Sequence, residues 1–596
     1  MIRRNLLAHT LLTSCLLATL LVGCSKDSDK FVTVPGGPLP GGGSPATGGS
    51  GSGSSASGFG ATVTAPASAG SVQLTVAMGS TVAVAQAQQV GTPVLVGPAG
   101  TTFKSPVTLV LKYDPAKVTD PSTLVVLRRN DATNEVSILA PIAVDTRNST
   151  VTVQTSSFST FMPAVLPAKA HLQGTYTVIG HLSQVSTVPD GQVANYIVSG
   201  TRGELVFDGS GSMTFSNLVE KQATLKQRAG APGSTGASIT TSTAAAPTPT
   251  WAYDYDPRTG RIAITAAGET TSGARSLDGS VVVVSATRFG ASGGTAAATA
   301  DLMVGIKQHS VTGALSGLAG LDAIGSGQEL STLASVDSDA IGVAFISHFA
   351  TSYTGSAGSL SAAAKVEDMN RLNGNSTLNV TPTPDTYLAT TVSVTSTTSA
   401  SLSFNQAANG QIDGATGERG AINSSGSVLA WESSMTVSVG SEIRVRNDLY
   451  LAFPPRTDHA QADIQATWNV FGVNRELSAQ AGGSEARLEL FVTQGASLGF
   501  TAGGTWAFSS SGEIIRRLNT TVGAADDTLS GQVSIRTSGA SGTGTFNLNT
   551  NGQFTLVGDD QIGLLSADNS LFVLQTGTGG FGRQIWIGVR RPSVPQ

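Results

Sequence analysis

Leu302-Met303-Val304-Gly305-Ile306-Lys307, Leu449-Tyr450-Leu451-Ala452-Phe453 and Ile585-Trp586-Ile587-Gly588-Val589-Arg590 are variants of one short apolar run, and their starts lie 147 and 136 residues apart. Each follows a turn and an apolar strand: Asp278-Gly279-Ser280-Val281-Val282, Ser425-Gly426-Ser427-Val428-Leu429, and Asp568-Asn569-Ser570-Leu571-Phe572. Upstream of these come Gly260-Arg261-Ile262, Gly410-Gln411-Ile412 and Gly552-Gln553-Phe554, with 19, 16 and 17 residues between the first turn and the second. Conserved order at near-constant spacing marks an internal repeat of about 140 residues. That is the size of an up-and-down barrel or a small sandwich. The repeat divides the chain into related antiparallel β units at 170–309, 310–457 and 458–596. Residues 228–250, dominated by Ala, Gly, Ser, Thr and Pro, read as a disordered insertion in the first unit. Residues 313–334 break the strand pattern and predict a short helix.

Composition narrows the possible roles. Of 596 residues, 71 are Gly, only 12% are charged and 6% are aromatic, against roughly a quarter charged in an average soluble domain. The net charge of −5 comes without any block of like charge. A nucleic-acid partner needs a clustered basic face to displace counterions from phosphates, so no nucleic acid is expected. Coiled coils and multi-span membrane proteins are disfavoured as well.

The N-terminus indicates the compartment. Arg3 and Arg4 precede an interrupted apolar run from Leu6 to Val22, too short for a good spanning helix and suited to an export signal. It ends Leu21-Val22-Gly23-Cys24, followed by polar Ser25-Lys26-Asp27. This resembles a bacterial lipoprotein signal. The resemblance implies cleavage after Gly23, diacylation of Cys24 and, with Ser25 rather than Asp next, sorting to the outer membrane. Two or three acyl chains suffice for a stable anchor. The only other cysteine is Cys15, inside residues 1–23, so the mature chain has no intrachain disulfide. Which face of the outer membrane the body occupies is left open.

Residues 24–60 follow as a lipidated Cys and a Gly/Ser/Pro tether, too poor in apolar side chains to offset the entropy of ordering. Residues 61–168 alternate apolar and polar positions, as in Ser71-Val72-Gln73-Leu74-Thr75-Val76 and Val107-Thr108-Leu109-Val110-Leu111. This period predicts half-buried strands of a β-sandwich. Gly97-Pro98-Ala99-Gly100-Thr101-Thr102-Phe103, the Asp131-Ala132-Thr133-Asn134 turn and Phe158-Ser159-Thr160-Phe161 resemble the sandwich module of ankyrins and netrin receptors. That family implies a spacer or interaction module without chemistry of its own. Downstream, Gly174-Thr175-Tyr176 and Phe207-Asp208-Gly209-Ser210-Gly211 resemble calycin-like barrels of secreted bacterial proteins, in shape only.

Candidate chemistry is sparse. Gly290-Ala291-Ser292-Gly293-Gly294 and Gly495-Ala496-Ser497-Leu498-Gly499 match a nucleophile-elbow string, but the elbow needs a helix after the Ser and β-type sequence follows both. A chain this rich in Gly and Ser yields about one such string by chance. The histidines His171, His181, His309, His348 and His459 stand far apart in sequence, which gives no metal-ligand spacing. Asp254-Tyr255-Asp256-Pro257, Asp337-Ser338-Asp339 and Asp559-Asp560 have turn chemistry. Trp251, Trp431, Trp468, Trp506 and Trp586 offer stacking faces for sugars, although a strand Trp is more often core.

The expectation is therefore an all-β chain: an N-terminal β-sandwich followed by three related antiparallel barrel or sandwich units, anchored to the membrane through acyl chains on Cys24. No catalytic, cofactor or metal residue is expected. The role expected is non-catalytic, binding an unknown protein or glycan or shaping the envelope. The alternatives are a carrier of a small apolar ligand and a hydrolase of envelope or extracellular polymer.

Overall fold

The computed structural model describes residues 46–592 except 52–53, 67–71, 83–86, 130, 132–135, 167–171, 188–193, 227–237, 246–249, 258, 267–268, 293–294, 333–339, 357, 376–389, 440–441, 480–484, 502, 522–531, 558–560 and 576–581. The described chain is nearly all strand. Its one α-helical turn is Gln461–Ile464, and no helix among the described residues is long and apolar enough to cross a membrane.

The first two sheets form a sandwich. One runs Ala46–Gly51, Val72–Met78, Val94–Gly97, Thr160–Val165, Leu124–Arg129, Val136–Leu139, and the other Ala143–Asp145, Thr150–Ser157, Thr102–Lys112, Ala61–Thr64, Ser55–Gly58. Leu74, Val76, Val94 and Val96 meet Val107, Leu109, Leu111, Val151 and Val153 in its core. The expected tether therefore ends sooner than its composition suggests. Ala46–Gly51 pairs with Val72–Met78, and Ser55–Gly58 pairs with Ala61–Thr64. Small side chains bury little area, but ladder hydrogen bonds satisfy the backbone regardless of composition.

Three eight-stranded barrels follow. The second runs through Gly320–Thr332, Ala340–Ser356, Ser359–Asn375, Thr390–Gln406, Gln411–Gly414, Arg419–Ile422, Leu429–Val439 and Glu442–Phe453, and the third begins at Thr467–Ala479 and ends at Gly582–Arg590. Both are closed by pairing of first strand on last. The first opens with Gln173–Thr187 and closes on Thr295–Lys307. Its fourth strand is split into Ser238–Ala245 and Thr250–Asp256, both paired with Ser212–Lys226. Ser238–Ala245 lies inside the stretch expected to be a disordered insertion. The barrel-or-sandwich alternative resolves to barrels.

The helix expected within 313–334 is also corrected. Turns occupy residues 312–317, and Gly320–Thr332 is the opening strand of the second barrel. Its residues are buried on both faces, Leu321 and Ala323 toward the lumen and Ile324 and Leu330 outward. A strand covered on both sides loses the alternation that identifies half-buried ones.

The same double burial explains the repeated apolar runs. Leu302, Val304 and Ile306, with Leu449, Leu451 and Phe453 and with Ile585, Ile587 and Val589, belong to one core lying between the barrels. Their alternate neighbours Met303, Tyr450 and Ala452 point into the lumens. The barrels pack in a cycle. The first two strands of the first barrel lie on the last three of the second. The opening strand of the second lies on the last strands of the third, and the opening strands of the third lie on the last three of the first. The repeated turns converge where the barrels meet: Asn423 Nδ2 donates to Ser280 Oγ at 3.2 Å and Ser427 Oγ donates to Asp568 Oδ2 at 3.3 Å. Gly279, Gly426 and Asn569 hold φ of +75°, +71° and +57° at the same turn position, where glycine or asparagine carries least strain.

Candidate functional site

A carrier needs a lumen with room in it. The turn end of each barrel is filled instead. Tyr176, Phe207, Phe215, Tyr253 and Tyr255 plug the first, Tyr353, Phe404, Trp431 and Tyr450 the second, and Trp468, Phe500, Phe554 and Phe572 the third. Edge-to-face contacts lock these rings, with centroids 5.0 Å apart for Phe207 and Tyr253 and 5.0 Å for Trp468 and Phe572. The void between Val178, Leu205, Phe215 and Met303 has no room for a water molecule.

Above the plug of the second barrel the lumen carries a layer of charge. His348, Lys365, Glu367, Arg446, Asp448 and Tyr450 come from three strands. Arg446 Nε donates to both Asp448 oxygens at 2.9 Å, and its two terminal nitrogens donate to Glu367 at 3.1 and 3.3 Å. His348 lies between the acids, its Nε2 3.3 Å from Asp448 and its Nδ1 3.4 Å from Glu367. Lys365 Nζ is 3.1 Å from Glu367 and donates to Tyr450 Oη at 2.9 Å. Gly327 leaves the space: a Cβ there would sit 2.1 Å from Asp448 Oδ1.

Burial alone would raise the Asp448 carboxyl, but Arg446 and His348 hold it well below the usual carboxylate range. Glu367 is likewise opposed by burial and lowered by His348 and Arg446. Burial and the Asp448 charge push the Tyr450 phenol up, and burial with Glu367 takes Tyr353 to about 12. A phenol raised in this way stays protonated and is a poor base. The layer is a mutually satisfied ion network, with every charge opposed.

A second polar cluster lies between the barrels, with contributors from the opening strand of each. Arg475 Nε donates to Ser183 Oγ at 2.8 Å, Arg475 Nη1 to Ser326 Oγ at 3.0 Å, and Ser183 Oγ to Gln328 Oε1 at 2.5 Å. Gln328 also bonds His181. Burial brings Arg475 down to about 9. Burial and the nearby Arg475 charge push His181 well below its usual value. No described carboxylate lies within ion-pair distance of Arg475.

The residues singled out in the sequence scatter. Gly23, Cys24, His171, Asp337 to Asp339 and Asp559-Asp560 lie outside the described residues. Ser497 is mid-strand in Glu485–Phe500 between buried Ala496 and Leu498, and it accepts from Arg591 at 3.0 Å, so no elbow forms. Ser292 ends the strand Val281–Ser292, and another strand, not a helix, begins at Thr295. Asp254 and Asp256 lie in the strand Thr250–Asp256, which turns back onto Arg261–Ala266, and Thr259 Oγ1 donates to Asp256 Oδ2. His309 binds Ile422 O at 2.9 Å beside Gly410, and His459 packs on Gly552. Trp431 and Trp468 are buried core, while Trp586 is half-buried, stacked at 4.9 Å on Phe508. Neither polar cluster was singled out from sequence. No group of three or more His, Cys, Asp or Glu suited to a metal ion occurs among the described residues.

Fold and clusters together define a class: a β-sandwich joined to three barrels arranged in a cycle, each plugged at its turn end, with an ion network in the second and a hydrogen-bonded Arg475 cluster between them. No family model matches the chain and no curated protein matches it. Solved structures that align with it include transferrin binding protein B from serogroup B Neisseria meningitidis, at 9% identity over 81% of this chain and 88% of that one, TM-score 0.13. A mutant of the vaccine antigen transferrin binding protein B from Haemophilus parasuis Hp5 aligns at 9% identity over 95% of this chain and 100% of that one, TM-score 0.12. At such TM-scores nothing about architecture or partner transfers to this chain.

Proposed function

We propose that the chain is a lipid-anchored protein of the bacterial outer membrane whose role is non-catalytic binding or envelope structure. The observation that carries the reading is the shared core between the barrels together with the filled turn ends of their lumens. A body built this way is a rigid platform that offers its outer surface and strand ends rather than an enclosed pocket. The anchor rests on the Leu21-Val22-Gly23-Cys24 box, and the sandwich is the spacer between anchor and barrels. The carrier reading finds no roomy lumen at the turn ends of the barrels among the described residues, and the hydrolase reading finds no elbow at Ser497.

The test is fractionation of the producing cell with wild type and Cys24→Ala. Wild type should partition with the outer membrane and incorporate labelled palmitate, while the variant should be soluble and unlabelled. Equal partition of the two would overturn the anchor.

A further inference from the structure

The wall of the second barrel is complete only at its turn end. Gln411–Gly414 and Arg419–Ile422 are 4 residues each, whereas their neighbours Thr390–Gln406 and Leu429–Val439 run 17 and 11. Thr390–Gln406 pairs with the short hairpin only through Phe404 to Gln406, and Leu429–Val439 only through Leu429 to Glu432. Above those points two strand edges face a gap. The gap is two strands, about 14 Å, wide at a strand spacing of ~4.8 Å. Neither edge has a further ladder partner among the described residues, although Thr390–Gln406 also approaches Thr467–Ala479 of the third barrel.

The direction of the unpaired groups follows from two hydrogen bonds. Ala415 N donates to Ser403 O at 3.0 Å on the gap side, and Phe404 N donates to Gly358 O at 2.8 Å on the opposite side. Odd-numbered residues of this strand therefore turn N–H and C=O toward the gap. Thr395, Thr397, Ser399 and Ser401 are all exposed. Thr390 to Ser403 contain no Pro and no charge, the devices that ordinarily block an open edge. On the opposite rim Met435 and Val437 are 46% and 38% exposed. They share the face of Trp431 that looks into the lumen.

We infer that this gap is a docking site for an extended strand of a partner polypeptide. This rests on the reading of the chain as a binding platform. The occupant's chemistry follows from the two rims. Unpaired main-chain groups repeating along an edge are matched by another backbone, and the short hairpin Gln411–Ile422 already pairs in this way with the same two edges lower down. Met435 and Val437 select a segment that alternates apolar residues toward the lumen with polar residues outward.

The probe is a fluorescein-labelled peptide Ser-Val-Thr-Val-Ser-Val-Thr-Val, which has that alternation and is not a segment of this chain, titrated into the full chain and followed by anisotropy and hydrogen exchange. Saturation below about 1 mM is expected, with new protection at Thr397, Ser399 and Ser401. Ser399→Pro removes a gap-facing donor without touching the ladder to Ser359–Asn375, so its fold should survive. Its peptide affinity should fall at least tenfold. No saturation, or equal affinity in Ser399→Pro, overturns the inference. A chain that dimerises in solution, and does so less as Ser399→Pro, would replace the partner by a second copy and likewise overturn it. None of these results bears on the Cys24→Ala fractionation, so the two readings fail separately.

Discussion

Arg446→Met tests whether the charged layer of the second barrel is held by balance of charge. The side chain of Arg446 is 15% exposed and is 2.9 Å from Asp448 and 3.1 Å from Glu367. Its loss leaves buried Asp448 and half-buried Glu367 with Lys365 as the remaining cation beside them. Breaking a buried pair by removing one member costs about 3–5 kcal/mol. For a unit of barrel size that is a fall in melting temperature of roughly 10 °C. The pH dependence separates electrostatics from packing. In wild type the folded values of Asp448 and Glu367 lie below their unfolded ones, so their stabilisation is complete above about pH 4 and is lost as pH falls through the lower folded values. In the variant Asp448 loses its largest lowering partner, so burial drives its folded value upward and protonation relieves it. The deficit against wild type should be largest near pH 8 and shrink toward pH 4.5. The assay is urea unfolding followed by tryptophan fluorescence, since Trp431 stacks 4.8 Å from Tyr450. Arg446→Met with Asp448→Asn should recover part of the loss. A deficit constant from pH 8 to 4.5 would refute the electrostatic account.

Other perturbations address other joints of the fold. Phe471→Ala removes a fully buried ring from the core between the barrels and should cost about 3–5 kcal/mol; calorimetry should show one cooperative transition in wild type and a split one in the variant. Gly588→Ala places a Cβ 2.0 Å from the Phe572 ring, and such overpacking should cost about 1–3 kcal/mol in denaturant unfolding. Burial raises Asp322 to about 7, so its folded value exceeds the unfolded one and stability drains away as pH climbs from about 4 through 7. Asp322→Asn should therefore melt higher than wild type at pH 8 and no higher at pH 5. Arg475→Met replaces a buried cation without a carboxylate partner by an apolar chain of similar length, and should leave stability unchanged or raise it by about 1–4 kcal/mol.

What the sequence disclosed was one-dimensional. Turn residues at fixed intervals announced the repeat, because Gly260, Gly410 and Gly552 all hold positive φ and little else fits. Apolar runs such as Val281 to Val284 marked strands, yet gave no sign that alternate residues serve two different cores. Whether a β unit closes depends on pairing between its first and last strands, some 130 residues apart, and that pairing leaves no periodic trace. The ion layer was hidden for a related reason. His348, Glu367 and Asp448 are unremarkable singly and meet only through register, with His348 opposite Glu367 and Gly327 opposite Asp448. The Gly327 signal was lost among many other glycines. Where local polarity was trusted, at Ala46–Gly51 and Ser238–Ala245, backbone pairing overrode it.

The cluster around Arg475 shows what a continuous chain permits. Three identical subunits in a closed ring would bring the same side chain to the junction three times, and three guanidinium groups or three imidazolium groups in a buried space repel one another. Here the opening strands supply His181 and Ser183, Ser326 and Gln328, and a single Arg475. The hydroxyls of Ser183 and Ser326 accept from the guanidinium, and Gln328 takes the Ser183 hydrogen. Each strand complements the other two. Only one register of the three strands satisfies this set, since a two-residue slip of any strand would set Arg475 against apolar neighbours such as Ile179, Ile324 or Leu330 of the shared core. An unpaired buried cation adds little stability, and its contribution is to choose the arrangement. Arg475→Met should accordingly keep or gain melting temperature while lowering the yield of correctly refolded chain after urea dilution, read as the fraction eluting at the native volume. Refolding at the wild-type yield would show that the apolar core between the barrels sets the register unaided.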